Sequence, residues 1–213
     1  MGDFDIGNAI FLFVVFVFST VLHELAHATM AYQWGDTTAR DEGRLTLNPL
    51  AHIDMFGTVL LPIVMLAMTR GQGLMGYAMT PVNESRMRNP KWGGFWTSFA
   101  GPLANLAIAI VSLFLLKLVY SNFGTALGDY RGTFRDLLEI SVSLNLLLLV
   151  FNLLPIPPLD GGHMLRNLLP DRFGDMFNQL GTMGMFIVLA LASSGLLSGL
   201  VNQIGRASCR ERV

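Results

Sequence analysis

Apolar residues are gathered into four long stretches, with the polar residues collected in the connections between them. The first stretch runs from about Ile6 to Met30 and the second from about Phe95 to Tyr120. The third runs from about Leu137 to Phe151 with its flanking residues, and the fourth from about Met176 to Val201. Crossing about 30 Å of hydrocarbon takes about 20 residues of helix, and each stretch can supply them. A fifth, from about Phe56 to Thr69, is shorter and contains Pro62; runs of that length more often re-enter or bury than span. The connections carry turn formers and charge, with Gly43 and Asn48-Pro49 in one and Pro81, Pro90 and several cations in the next. Trp34, Trp92, Trp96 and Tyr120 lie near the ends of stretches, where amphipathic rings settle between lipid tails and water. The pattern predicts an all-α polytopic membrane protein with about four transmembrane helices plus a re-entrant membrane segment.

Composition strengthens this reading. Of 213 residues, 52% are hydrophobic and only 14% charged, against about 25% charged in an average soluble domain. So few charges cannot cover a water-facing surface, and a lipid bilayer is the implied partner. Disorder is excluded by the apolar content, and a net charge of −1 gives no basic footprint for nucleic acid. The first stretch is not a cleavable signal peptide, because it lacks a basic leader and carries His23, Glu24 and His27 in its second half. The last residues, 204–213, break from the apolar composition and resemble one reading frame of a sequencing adapter. They are expected to be a non-native tail, and the lone Cys209 falls within them.

His23-Glu24-Leu25-Ala26-His27 is an H-E-x-x-H sequence on a segment that lipid obliges to be helical. Positions i and i+4 share a helix face, so both imidazoles can reach one metal ion while Glu24 stands ready to take a proton from water. A chance match would be a serious competitor in a soluble protein. Inside a membrane helix, ionisable residues are costly and mark sites, and three within five residues call for a divalent cation. Catalytic zinc takes three protein ligands and leaves one position open. The remaining candidates are His52, His163 and Asp160. Asp160 is the most telling, in Asn152-Leu153-Leu154-Pro155-Ile156-Pro157-Pro158-Leu159-Asp160-Gly161-Gly162. The prolines forbid a regular helix there, and broken backbone at the end of a span can present a carboxylate to an intramembrane metal. In the plainer alternative Leu159-Asp160-Gly161-Gly162 is a turn and Asp160 merely caps a helix.

Taken in order, these motifs resemble the site-2 protease family of intramembrane zinc metalloproteases, in its short bacterial and archaeal form. The likeness runs from the first stretch to about Pro170. It includes HELAH, Gly43-Arg44-Leu45-Thr46-Leu47-Asn48-Pro49 with His52-Ile53-Asp54 and Gly57-Thr58, Ala100-Gly101-Pro102-Leu103-Ala104-Asn105, and NLLPIPPLDGG. The resemblance implies that His23, His27 and Asp160 hold one zinc ion, that Glu24 is the catalytic base and that Asn152 sits near the scissile carbonyl. It further implies a membrane protein or peptide substrate, a prokaryotic plasma-membrane location and a protease domain over residues 1–203. Two departures stand out: only residues 1–5 precede the first stretch, and no loop is long enough for an inserted peptide-binding domain.

Other polar residues recur at helical spacing. Ser141, Asn145 and Asn152 share one face, as do Ser98, Gly101 and Asn105. They either face the site or tie helices together. Two further readings fit the ligands: a metal-ion carrier, and an inactive relative acting as a scaffold for membrane segments. Glu24 has no task in the first, and the complete ligand set argues against the second.

Topology follows from parity. For His23, His27 and Asp160 to meet, the chain must cross the membrane an even number of times between them. The second and third stretches supply two crossings, so Phe56–Thr69 must enter and leave on one side. That side then holds Arg40, Arg44, Arg70, Arg86, Arg88 and Lys91, joined by Arg166 and Arg172, whereas the opposite loop holds Arg131 and Arg135 offset by Asp129 and Asp136. Cytoplasmic loops are the Lys/Arg-rich ones, which predicts a site facing the cytoplasm.

Overall fold

The computed structural model describes residues 6–52, 54–68, 80–170 and 177, and all regular structure among them is helical. The helices are α1 (Ile6–Trp34), a single turn α2 (Thr38–Asp41), α3 (Leu61–Met68), α4 (Pro90–Tyr120), α5 (Arg131–Asn152) and α6 (Asp160–Leu168). A π-wound turn, Met55–Leu60, runs directly into α3, and Pro62, which has no N–H to give, falls just after the change of winding. The fourth apolar stretch and the 204–213 tail lie outside the described residues.

Helix ends follow local chemistry. α1 runs to Trp34 and closes at Gly35, whose φ of +107° a side chain would resist. There Gly35 N–H donates to the Tyr32 carbonyl and Asp36 N–H to that of Ala31, both at 3.0 Å, the paired bonds of a Schellman closure. α4 starts five residues before its apolar stretch: the Asn89 side chain accepts from Trp92 N–H and Pro90 opens the helix. α5 starts at Arg131, ahead of the apolar stretch, because the charges of its first turns are used locally. The Arg131 guanidinium donates to the carbonyls of Val119 and Tyr120, Arg135 pairs with Asp136 at 2.7 Å, and Tyr120 donates to Glu139. Two helices, α1 over Ala9–Trp34 and α4, are long and apolar enough to cross a membrane.

α4 is central, packing against α1, α5 and α6. Small residues are buried on α1 (Ala28, Ala31) and on α4 (Ala100, Gly101, Ala109), which allows close backbone approach. Val15 and Phe16 of α1 form an apolar cluster with Leu144 of α5. Polar side chains line the interior while Val14, Phe18, Ile110, Val111 and Phe114 are exposed, the reverse of a water-soluble surface. Some of the polar residues tie helices together: Asn145 donates to Ser19 Oγ at 2.9 Å, and the hydroxyls of Ser112 and Ser141 meet at 2.8 Å.

The segment before α4 is fastened to both ends of the site. Asp36, 1% exposed, accepts from Thr38 Oγ1 and from the N–H groups of Thr38 and Asn83. Burial alone would raise its pKa. The Thr38 and Asn83 hydrogen bonds, with the charge of Arg86, outweigh that and hold the carboxyl below its usual range. Arg88 N–H donates to the Trp34 carbonyl at 2.9 Å. Glu84 accepts from Arg166 at 2.9 Å and from Asn167 at 3.1 Å, both on α6.

Candidate metal centre

His23 and His27 lie one turn apart on α1, both buried, with their Nε2 atoms 3.0 Å apart. Asp160 closes the group: Oδ2 is 3.1 Å from His23 Nε2 and Oδ1 is 3.3 Å from His27 Nε2. The local sequence explains how a residue so distant in the chain arrives there. α5 stops at Asn152, residues 153–159 with Pro155, Pro157 and Pro158 stay out of α-helix, and α6 begins at Asp160 itself. Gly161 and Gly162 let α6 fold tightly onto that turn. A Cβ at 161 would lie 2.5 Å from the Leu154 carbonyl oxygen, and one at 162 would lie 2.7 Å from the Ile156 carbonyl carbon. Asp160 thus opens a helix, as the plainer reading held, yet its carboxylate meets the imidazoles.

The group fits a divalent cation. One donor atom from each of His23, His27 and Asp160 lies within 4.8 Å of the others. Two nitrogens and one carboxylate oxygen are a common donor set for a three-ligand catalytic metal. Apart from its 3.1 Å approach to His23 Nε2, the buried Asp160 Oδ2 has no hydrogen-bond partner among the described residues, and such an anion needs compensation. α4 leaves the space: a Cβ on Gly101 would lie 2.6 Å from His23 Nε2 and closer still to His27 Nε2. Behind the rings, His27 Nδ1 lies 2.6 Å from the Thr97 carbonyl. That carbonyl can only accept, so Nδ1 carries the proton and Nε2 keeps its lone pair for a metal. The Asn105 amide lies 3.2 Å from His23 Nδ1 through Nδ2, while its Oδ1 is buried without a partner among the described residues. Were His23 Nε2 to hold a metal, Nδ1 would carry the proton and the Asn105 amide, whose two ends are nearly equal in size, could present its oxygen to accept it.

Glu24 is buried beside the imidazoles in α1, and its Oε2 accepts from Thr80 Oγ1 at 2.6 Å. Asn152 is the last residue of α5, half-buried, with no side-chain hydrogen bond among the described residues. His52 and His163 do not join the group. His52 Nε2 donates to the Thr46 carbonyl at 2.7 Å, and His163 is exposed on α6. The sequence marks Gly101 and Asn105 as members of a polar stripe and of one motif of the resemblance, without a role for either. It does not mark Thr97, which contributes a backbone atom, or Thr80, which no spacing links to α1.

Two imidazoles one turn apart, an adjacent carboxylate and a third anionic donor from a distant turn define the class of metallopeptidases with an H-E-x-x-H helix. The sequence matches peptidase family M50 over residues 11–134 and 128–193. The chain belongs to that family and is a protease. It is 36% identical over 181 residues to "Putative zinc metalloprotease YwhC" of Bacillus subtilis, covering 85% of this chain and 79% of that one. It is 31% identical over 159 residues to "Putative zinc metalloprotease Rip2" of Mycolicibacterium smegmatis, covering 73% and 56%. It is 29% identical over 197 residues to "Zinc metalloprotease MJ0392" of Methanocaldococcus jannaschii, covering 90% and 45%. No solved structure matches it.

Proposed function

We propose that this protein is an intramembrane zinc endopeptidase that hydrolyses peptide bonds within or near membrane-spanning segments of other proteins. The observation that carries this reading is the depth of the donor group. His23 and His27 lie two to three turns before the end of α1 at Trp34, about 10–16 Å down a helix apolar enough to span. A soluble substrate has little access to such a depth, whereas a membrane segment is already there.

His23, His27 and Asp160 hold one zinc ion in this reading. When bound, zinc supplies Lewis acidity, making water a usable nucleophile near neutral pH and polarising the peptide carbonyl. Glu24 accepts the proton of the attacking water and passes it to the leaving amine. Asn152 donates to the carbonyl oxygen as negative charge develops on it. The substrate unwinds locally, because a helix engages its own carbonyls.

Four transmembrane helices and a re-entrant segment complete the proposed architecture. Leu47 and Pro49 line one cavity with Phe18 and Leu22 of α1, so the chain beyond α2 descends well below Trp34. The exposed Met55, Phe56, Leu60 and Ile63 then meet lipid. In a prokaryotic plasma membrane the cation-rich face, with Arg40, Arg44, Arg86, Arg88 and Lys91, lies in the cytoplasm and the site opens to it.

Purified protein in liposomes is expected to cut a co-reconstituted membrane-spanning substrate, to stop on chelation and to recover with zinc. Zinc binding without any cleavage would instead mark a carrier or a scaffold. Orientation is tested separately, with Cys209 replaced by serine and single cysteines placed at the exposed Lys91 and Asp129. A membrane-impermeant thiol reagent on intact cells is expected to label position 129 alone; labelling at 91 overturns the assignment.

A further inference from the structure

Thr80 lies far from α1 in sequence, yet its hydroxyl reaches the one carboxylate that the proposed chemistry leaves free of metal. Thr80 Oγ1 is 2.6 Å from Glu24 Oε2 and 3.2 Å from the Glu24 backbone carbonyl. A hydroxyl has one proton, and the shorter contact to an acceptor-only carboxylate takes it. With Oε2 engaged by Thr80, Oε1 keeps both of its lone pairs for a substrate water.

The hydroxyl is also held in place. Three residues on, Asn83 N–H donates to the buried Asp36 at the end of α1, and Glu84 next to it receives Arg166 and Asn167 of α6. Residues 80–88 are therefore fastened to the helix that carries His23 and His27 and to the helix that carries Asp160. A threonine so placed has a fixed position relative to all three donors. A free glutamate side chain on a helix samples several rotamers, and each wrong one removes the base from the reacting water.

The geometry points to Thr80 as a positioning residue for hydrolysis: its hydroxyl holds Glu24 in the rotamer that presents Oε1 to the attacking water. This rests on Glu24 being the catalytic base. Thr80→Val keeps the shape and removes the donor, while Thr80→Ser keeps the donor and removes a methyl. The expected result for Thr80→Val is a fall in kcat of about tenfold to a hundredfold, the scale of a misplaced catalytic group. KM should stay within about twofold, a loss confined to the transition state. Zinc content should be unchanged, and Thr80→Ser should restore kcat to within about threefold of wild type. In a Glu24→Asp background the shortened carboxylate cannot reach the hydroxyl, so adding Thr80→Val should cost nothing further. Unchanged kcat in Thr80→Val overturns the proposal, as does an equal loss with raised KM in both Thr80 variants, which marks a packing role. Failure of the underlying reading would show differently, as near-wild-type cleavage by Glu24→Gln in the same assay.

Discussion

Replacing Gly101 with alanine is expected to strip the protein of zinc and of activity together. The added Cβ would fall within 2.6 Å of His23 Nε2 and closer to His27 Nε2, in the space between the donor atoms. Neither side can yield cheaply. The atom belongs to the backbone of α4, which is held by α1, α5 and α6, and the rings are fastened behind by Thr97 and Asn105. Metal analysis should fall from near one zinc per chain towards none, and cleavage by at least about hundredfold, the upper range for disturbing a metal site's surroundings. Gly132→Ala, where a Cβ meets nothing within 4 Å, should leave both unchanged. A Gly101→Ala protein with full zinc and full activity would place the metal elsewhere.

Glu24→Gln should separate what Gly101→Ala loses together. The amide nearly matches the carboxylate in size and can still accept from Thr80, so the helix and its two imidazoles stay as they are. It cannot accept a proton from water. Zinc content is expected to remain at the wild-type level while cleavage drops by about two to four orders of magnitude, the contribution of a positioned general base. The measurement is metal stoichiometry and substrate cleavage on one preparation. Near-wild-type turnover would remove Glu24 from the mechanism.

These two positions differ in how far the sequence announces them. Glu24 is legible because its neighbours are: the i, i+4 spacing of His23 and His27 in an apolar helix is costly unless it binds something. Asp160 is legible because three prolines break the chain just before it. Gly101 shows as a small residue in a stripe and in one motif of the resemblance, but its contact with the imidazoles does not show, since the closeness of two helices has no signature in either one alone. Thr80 is invisible, because a tertiary hydrogen bond across a polar loop follows no period. Helix starts are misjudged where charge is neutralised locally. Arg131, Arg135 and Asp136 read as loop until their partners on α4 and α5 are seen. Asn89-Pro90, by contrast, is a start signal that the apolar pattern overrides.

The separation of the donors along the chain bears on how the protein is made. His23 and His27 stand on the first helix, and Asp160 opens α6, more than half a chain length later. At about 5–20 residues per second of synthesis, on the order of ten seconds pass between the arrival of the imidazoles and that of the carboxylate. Through that interval α1 carries two of the three donors and lacks the carboxylate that closes the group. The carboxylate comes with the proline turn after α5, behind both α4 and α5 in the chain. The donor group is therefore complete only once α6 has been made.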